Sequence, residues 1–320
     1  MKKEELRIIF MGTPEFAVAT LQALVEAEYN VVAVVTQPDR PVGRHGSVLR
    51  APAVKEYAVE HGIPVLQPEK MKDVDFVEQL RSYKADLQVV VAFRMLPEIV
   101  WSMPRYGTFN VHAALLPQYR GAAPINWAII NGEKQTGVTT FFLDHDIDTG
   151  RVIMQQPFDI PEDADVEYVY DGLKELGAEI ALKTIDKIIE GDGKVDAIPQ
   201  EMMNENVKEL KNAPKLFKET CRIDWTRKEK ELYDFIRGLS PIPGAWGEVK
   251  LPNGSVMEVK IYKVKRIDGS KGQKENSGTI MKIGKGCGVV CVDGILEIES
   301  IQPNGKKRMD GKSFSNGYLG

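Results

Sequence analysis

Short, continuous apolar runs alternate with stretches of helical periodicity through residues 1–190. Arg7–Gly12 (RIIFMG), Val31–Gln37 (VVAVVTQ), Leu87–Phe93 (LQVVVAF), Thr108–Ala114 (TFNVHAA) and Gly137–Leu143 (GVTTFFL) read as buried strands. Between and after them, Pro14–Glu28, Ala53–His61, Val74–Tyr83, Ile125–Asn131 and Val166–Glu190 read as helices, with Pro14 suited to a first turn. Strands that are apolar throughout need cover on both faces, which crossover helices supply. The pattern predicts an α/β fold, a doubly wound, Rossmann-like and largely parallel sheet.

The helical pattern stops at Gly191-Asp192-Gly193, and residues 191–206 show no period. They are expected to be a linker between a catalytic domain at 1–190 and a second domain at 207–320. In the second domain a short helix is predicted at Lys228–Gly238. It precedes β-type runs at Ala245–Leu251, Ser255–Lys265, Gly278–Ile283, Gly288–Cys291 and Leu296–Gln302. Asn253-Gly254 is a strong hairpin signal. Several short strands in so small a space predict a small antiparallel β-barrel of the OB-like kind.

Bulk properties narrow the function classes. The chain has 320 residues, 43% hydrophobic and 28% charged, ordinary for a globular protein of two domains. No run reaches the roughly 18 apolar residues of a membrane span, and the N-terminus lacks a signal-peptide core. A cytoplasmic monomer with no membrane partner is expected. Cys221, Cys287 and Cys291 form no disulfide framework or zinc pattern and read as structural. The four histidines, His45, His61, His112 and His145, are too scattered for a metal site, so no metal is expected. Residues 201–320 carry 22 Lys and Arg against 16 Asp and Glu, whereas residues 1–200 carry 20 against 30. A basic second half beside an acidic first half suits a polyanionic partner as well as ordinary surface charge.

Candidate chemistry concentrates between Asn110 and Gly150. Asn110 and His112 lie two apart on a predicted strand, so they share a face, and the chain turns into a loop soon after them. LDHDIDTG follows with Asp144, Asp146 and Asp148; its spacing fails a calcium loop, and one of these acids is expected to orient His112. An amide donor, an imidazole and a carboxylate serve acyl transfer in which the substrate brings the nucleophile. Elsewhere, the first strand–helix turn, Gly12-Thr13-Pro14-Glu15-Phe16, has one glycine, too few to cradle a dinucleotide; Gly12 reads as a tight-turn residue. Thr36–Pro52 reads as a long, flexible loop with Arg40, Arg44, His45 and Arg50, able to follow a phosphate backbone. Phe93-Arg94-Met95-Leu96-Pro97 leaves the carboxyl end of a predicted strand, where α/β sheets form their ligand crevice and backbone groups can meet a flat heterocycle.

FMGTPEFAV, TQPDRPVGR, VVVAFRMLP, NVHAALLPQYRGAAPI, TGVTTFFLDHDIDTG, RIDW and IQPNGKKRM, in this order, resemble the methionyl-tRNA formyltransferases, which use 10-formyltetrahydrofolate as formyl donor. The resemblance runs over essentially the whole chain. It implies catalytic roles for Asn110, His112 and Asp148. It implies folate held by Phe93, Arg94, Met95 and Leu96 and by Leu115, Leu116 and Pro117. It implies initiator methionyl-tRNA as partner, met by Arg40 and Arg44 of the first domain and by Lys306, Lys307 and Arg308 of the second. Ala114 stands where the family commonly has serine, and His45-Gly46-Ser47 where it often carries further positive charge. Formyltransferases acting on sugar-nucleotide amines and formyltetrahydrofolate hydrolases share the first-domain motifs; the basic KKRM segment favours RNA over them. A non-catalytic RNA-binding scaffold is disfavoured by the retained Asn, His and Asp.

Overall fold

A computed structural model of the chain describes residues 2–42, 48–203, 209–272 and 276–320. Its contacts form two compact units, each made of several chain segments. The first comprises Met1–Gly121, Gly137–Phe158 and Tyr170–Lys211; the second comprises Ala122–Thr136, Asp159–Val169 and Asn212–Gly320.

In chain order the first elements are β1 (Ile8–Gly12), α1 (Glu15–Glu26), β2 (Val31–Val35), β3 (Arg40–Val42), β4 (Val48–Arg50), α2 (Ala53–Glu60), β5 (Val65–Leu66) and α3 (Val74–Ser82). Then come β6 (Leu87–Val91), α4 (Glu98–Trp101), β7 (Thr108–His112), β8 (Arg120–Gly121), α5 (Pro124–Ile130), β9 (Gln135–Phe142), β10 (Val152–Asp159) and α6 (Val166–Glu190). The main sheet has seven strands in the order β10-β9-β7-β6-β1-β2-β5. β1 pairs in parallel with both β2 and β6, β6 pairs in parallel with β7, and β9 runs antiparallel to β7. The strand order reverses beside β1, which places the crevice at the carboxyl ends of β1, β6 and β7. β1 and β6 are buried along their whole length, and Phe10, Phe109 and Phe141 are wholly enclosed. Each such side chain contributes roughly 1.5–3 kcal/mol of burial.

The main strands and helices of the expectation are present, and the short elements β5, α4 and β8 add to it. Gly12, expected as a tight-turn glycine, ends β1 in a crowded place: a Cβ there would lie 2.6 Å from Ala17 Cβ and 3.0 Å from the Val91 carbonyl oxygen. The Thr36–Pro52 segment is not a plain loop, because β3 and β4 pair antiparallel with Arg40 opposite Arg50. Lys55 Nζ bonds Asp39 at 2.7 Å and Gln67 Nε2 bonds Asp39 at 2.7 Å, anchoring the base of that ribbon and holding the Asp39 carboxyl below its usual range. β10 went unpredicted because Pro157 and two glutamines interrupt it. It is one of the two edge strands of the sheet, where a missing N–H is tolerated.

The second unit holds β11 (Asn212–Ala213), α7 (Glu229–Arg237), β12 (Ala245–Lys250), β13 (Val256–Arg266), β14 (Ile280–Ile283), β15 (Gly286–Val290), β16 (Ile295–Pro303), β17 (Met309–Asp310) and α8 (Gly311–Tyr318). The strands form an antiparallel sheet ordered β12-β13-β16-β15-β14, with β17 on β16. Pro252-Asn253-Gly254 joins β12 to β13 as the hairpin signal requires. An isolated bridge between Lys250 and Thr279 links the end of β12 to the residue before β14. The core gathers Leu232, Phe235, Val259, Ile261, Ile298 and Phe314, and Ile130 of α5 joins it. Asn126 Nδ2 of α5 donates to Gly238 O at 2.9 Å. Cys221, Cys287 and Cys291 are buried and form no disulfide, and burial pushes the thiols of Cys287 and Cys291 up to about 12.

Candidate active site

β7 sets the site. Its pairing with β6 on one side and β9 on the other buries Phe109 and Val111 and sends the alternate positions, Asn110 and His112, to the opposite face. Asn110 is half-buried, and its Oδ1 is buried without a hydrogen-bond partner. Native folds seldom leave such an atom unpaired, so an amide held this way points to function over stability. His112 is 6% exposed and its Nε2 lies 2.9 Å from Tyr119 O. A carbonyl only accepts, so Nε2 carries the hydrogen of that contact and Nδ1 is left to face the site.

Nδ1 of His112 lies 3.8 Å from Asp148 Oδ2, too long for a direct hydrogen bond. Asp144 faces elsewhere, its Oδ1 accepting from His145 N at 2.7 Å. Of the three acids expected around His112, Asp148 is therefore the one within reach. Its backbone has φ of 56°, a left-handed conformation that an aspartate tolerates better than most residues. The Gly121 N–H donates to Asp148 Oδ2 at 2.9 Å, which occupies one carboxylate oxygen. Gly150 must be glycine for space, since a Cβ there would sit 1.6 Å from the Phe142 carbonyl oxygen.

Leu115, Leu116 and Pro117 follow β7 directly, so they leave the sheet beside His112. Thr139 Oγ1 organises this loop: it donates to Ala114 O at 2.6 Å and accepts from Leu116 N at 3.1 Å. Gln155 Nε2 adds bonds to Leu116 O and Thr139 Oγ1 at 2.7 and 2.9 Å. A neighbouring hydroxyl thus ties down the loop beside Ala114, which has none. Phe93, Arg94, Met95 and Leu96 leave β6 at the same edge of the sheet. Ala92 turns the chain there with φ of 47°. Leu96 is buried, Met95 is 69% exposed, and Arg94 bonds the carbonyls of Glu69 and Pro68.

Arg40 lies exposed on β3 and bonds Gln37 Oε1, while Arg44 lies outside the described residues. Lys306, Lys307 and Arg308 are exposed in the turn between β16 and β17 of the second unit. The Arg308 guanidinium lies 4.3 Å from the Tyr262 ring centroid. No group of three or more His, Cys, Asp or Glu side chains arranged to hold a metal occurs among the described residues. Among the described residues no helix is long and apolar enough to cross a membrane.

A formyl transferase family model matches residues 6–185, and a formyl transferase C-terminal domain model matches residues 215–319. The chain is 56% identical to the methionyl-tRNA formyltransferase of Parabacteroides distasonis, covering 99% of this chain and 97% of that one. The chain belongs to the formyl transferase family. The methionyl-tRNA formyltransferase of Bacteroides fragilis is 54% identical with the same coverage. Two solved structures share the fold. HypX from Aquifex aeolicus in complex with tetrahydrofolic acid matches with a TM-score of 0.64 at 21% identity over 98% of this chain; the chain spans about half that protein, 48%. The sugar 3N-formyl transferase WlaRD matches with a TM-score of 0.64 at 19% identity, over 94% of this chain and 99% of that one.

The site also contains partners that no motif announced: the Tyr119 carbonyl, the Gly121 N–H, Thr139, Gln155 and Gln200. Gln200 is fully buried, and its Nε2 donates to Asp148 O at 2.9 Å and Gly150 O at 2.8 Å. It sits in a stretch whose sequence shows no period, and only the fold brings it to Asp148.

Proposed function

We propose that this protein transfers the formyl group of 10-formyltetrahydrofolate to the α-amine of methionine on initiator tRNA. The observation that carries the reading is the Asn110, His112 and Asp148 arrangement at the carboxyl end of β7. It occurs in a chain whose likeness to methionyl-tRNA formyltransferases runs through both of its family domains. The neutral amine attacks the formyl carbon, and the carbonyl oxygen becomes an oxyanion. The Asn110 amide N–H donates to that oxygen, a contact that strengthens as charge develops. The amine loses a proton to the pair formed by the His112 imidazole and the Asp148 carboxylate, which later returns it to the folate N10. The bond from the formyl carbon to the folate N10 then breaks and N10 is protonated, leaving tetrahydrofolate and formylmethionyl-tRNA. No metal takes part in these steps.

Phe93, Arg94, Met95 and Leu96, with Leu115, Leu116 and Pro117, are proposed to hold the folate. Arg40 and Arg44 are proposed to guide the acceptor end, and Lys306, Lys307 and Arg308 to attract the RNA backbone. In this division residues 1–190 are catalytic and 207–320 bind RNA, in a monomer working in the cytoplasm; the 191–206 stretch expected to link them contributes the buried Gln200 to the first compact unit. The test offers 10-formyltetrahydrofolate with three acceptors: methionyl initiator tRNA, a sugar-nucleotide amine and water. Formylmethionine should form in the first reaction alone. A formylated sugar, or formate in place of formylmethionine, would overturn the reading.

A further inference from the structure

Gln200 closes a ring around the catalytic carboxylate. Both N–H bonds of its amide are used, one on Asp148 O at 2.9 Å and one on Gly150 O at 2.8 Å. Its Oε1 accepts twice from Arg120, from Nε at 3.0 Å and Nη2 at 2.6 Å. Arg120 is followed by Gly121, whose N–H holds Asp148 Oδ2. The chain of contacts therefore runs from the Asp148 backbone through Gln200 and Arg120 to the Gly121 N–H, and returns to the Asp148 carboxylate. Every hydrogen-bonding position of the Gln200 amide is filled and the side chain is fully buried.

The ring acts where the backbone most needs support. Asp148 has left-handed φ, so its conformation persists only when the surroundings over-determine it. Gly150 is pressed against the Phe142 carbonyl on one side and tied to Gln200 on another. Without the two carbonyl contacts, the Gly121 N–H, the Thr149 Oγ1 bond to Asp146 O at 3.1 Å and the Phe142 N bond to Arg151 O at 3.0 Å remain, and of these only the Gly121 N–H reaches Asp148. The neighbouring His112 cannot supply that hold, being 3.8 Å away.

We infer that Gln200 is the positioning residue for the catalytic carboxylate: it fixes the Asp148 backbone, with Arg120 as its counterpart, and so sets the separation of that carboxylate from His112 Nδ1. This rests on the reading of Asp148 given under Proposed function. Gln200 makes its four hydrogen bonds to Asp148, Gly150 and Arg120, so its effect on the reaction passes through the segment that carries Asp148.

The test is a double-mutant cycle on the full chain, read as turnover with saturating 10-formyltetrahydrofolate and methionyl-tRNA. Gln200→Met keeps length and bulk and removes all four bonds. Misplacement of a reacting group by about 1 Å costs on the order of 100-fold, so a fall of roughly 10–100-fold in kcat is expected. The KM for folate should move less than about threefold, since the loss is confined to an interaction made in the transition state. In an Asp148→Asn background the same change should cost less than about threefold more, because residues acting as one unit are not additive. Gln200→Glu is the second variant: it keeps the acceptors for Arg120, removes the N–H donors, and stands in if Gln200→Met does not fold. Full multiplication of the two losses, or an unaltered kcat in a folded Gln200 variant, would overturn the proposal. A near-normal rate in Asp148→Asn alone would instead overturn the role given to Asp148.

Discussion

Asn110→Ala should separate function from stability at one residue. The change deletes the carboxamide and no methylene, so it removes no hydrophobic burial of consequence. It also removes a buried oxygen that has no partner in the fold. An unsatisfied buried polar atom costs about 1–3 kcal/mol, and deleting it recovers part of that, offset by the packing the carboxamide gave up. For domains of 150–250 residues, 1 kcal/mol moves Tm by roughly 2–4 °C. The melting temperature should therefore hold or rise by a few degrees. Turnover should fall by about 10²–10³, the cost of one oxyanion donor, or about 2.7–4 kcal/mol of transition-state stabilisation. The assay is initial rate at saturating 10-formyltetrahydrofolate and methionyl-tRNA, beside a thermal melt of the same preparation. A loss below about tenfold, equal to 1.4 kcal/mol, or a marked drop in Tm would refute the assignment.

Asp148→Asn keeps the shape and removes the charge beside His112; rates measured with it should fall as steeply as with Asn110→Ala, and a near-normal rate would shift the role to Asp144 or Asp146. Gly150→Ala forces a methyl group against the Phe142 carbonyl oxygen, so melting should show a loss of the order of 1–3 kcal/mol typical of overpacking, and an unchanged Tm would contradict the packing described. Dialysis against EDTA should leave the formylation rate unchanged; a loss restored by one metal would show a site missed at LDHDIDTG. Replacing Lys306, Lys307 and Arg308 by Gln in the full chain should flatten the dependence of tRNA affinity on salt, by a slope of up to about 0.9 for each phosphate no longer neutralised, and spare folate binding. The full chain is used because Ile130 belongs to the core of the second unit, so cutting the chain near residue 207 would strip that core of a packing partner.

Much of the fold was legible because β1, β2, β6 and β7 are apolar runs between helices of clear period. What was not legible depends on neighbours distant in sequence. α8 has no clear helical pattern in the sequence, with Gly311 and Gly317 among serines and an asparagine. It is helical because Asp310 caps Ser313 N at 2.6 Å and Phe314 is fully enclosed. α5 has the helical period expected of it, but the pattern cannot say which core it joins, and Ile130 packs with the second unit. In the site, Asn110 and His112 are apparent from their spacing on one strand. The choice of Asp148 over Asp144 depends on a loop conformation with φ of 56°, which spacing does not encode. Gln200 has no local signal, since its meaning lies in a bond to a residue 52 positions earlier.

If Asn110, His112 and Asp148 move a formyl group straight onto the amine of methionyl-tRNA, one turnover of the bound donor must show it. The measurement is a rapid-quench single turnover with enzyme-bound 10-formyltetrahydrofolate carrying a labelled formyl carbon, run on the full chain and on Asp148→Asn. Direct transfer predicts a burst of labelled formylmethionine from the full chain, and its loss in the variant while folate stays bound. Label appearing as formate, or an equal burst from the variant, would contradict it.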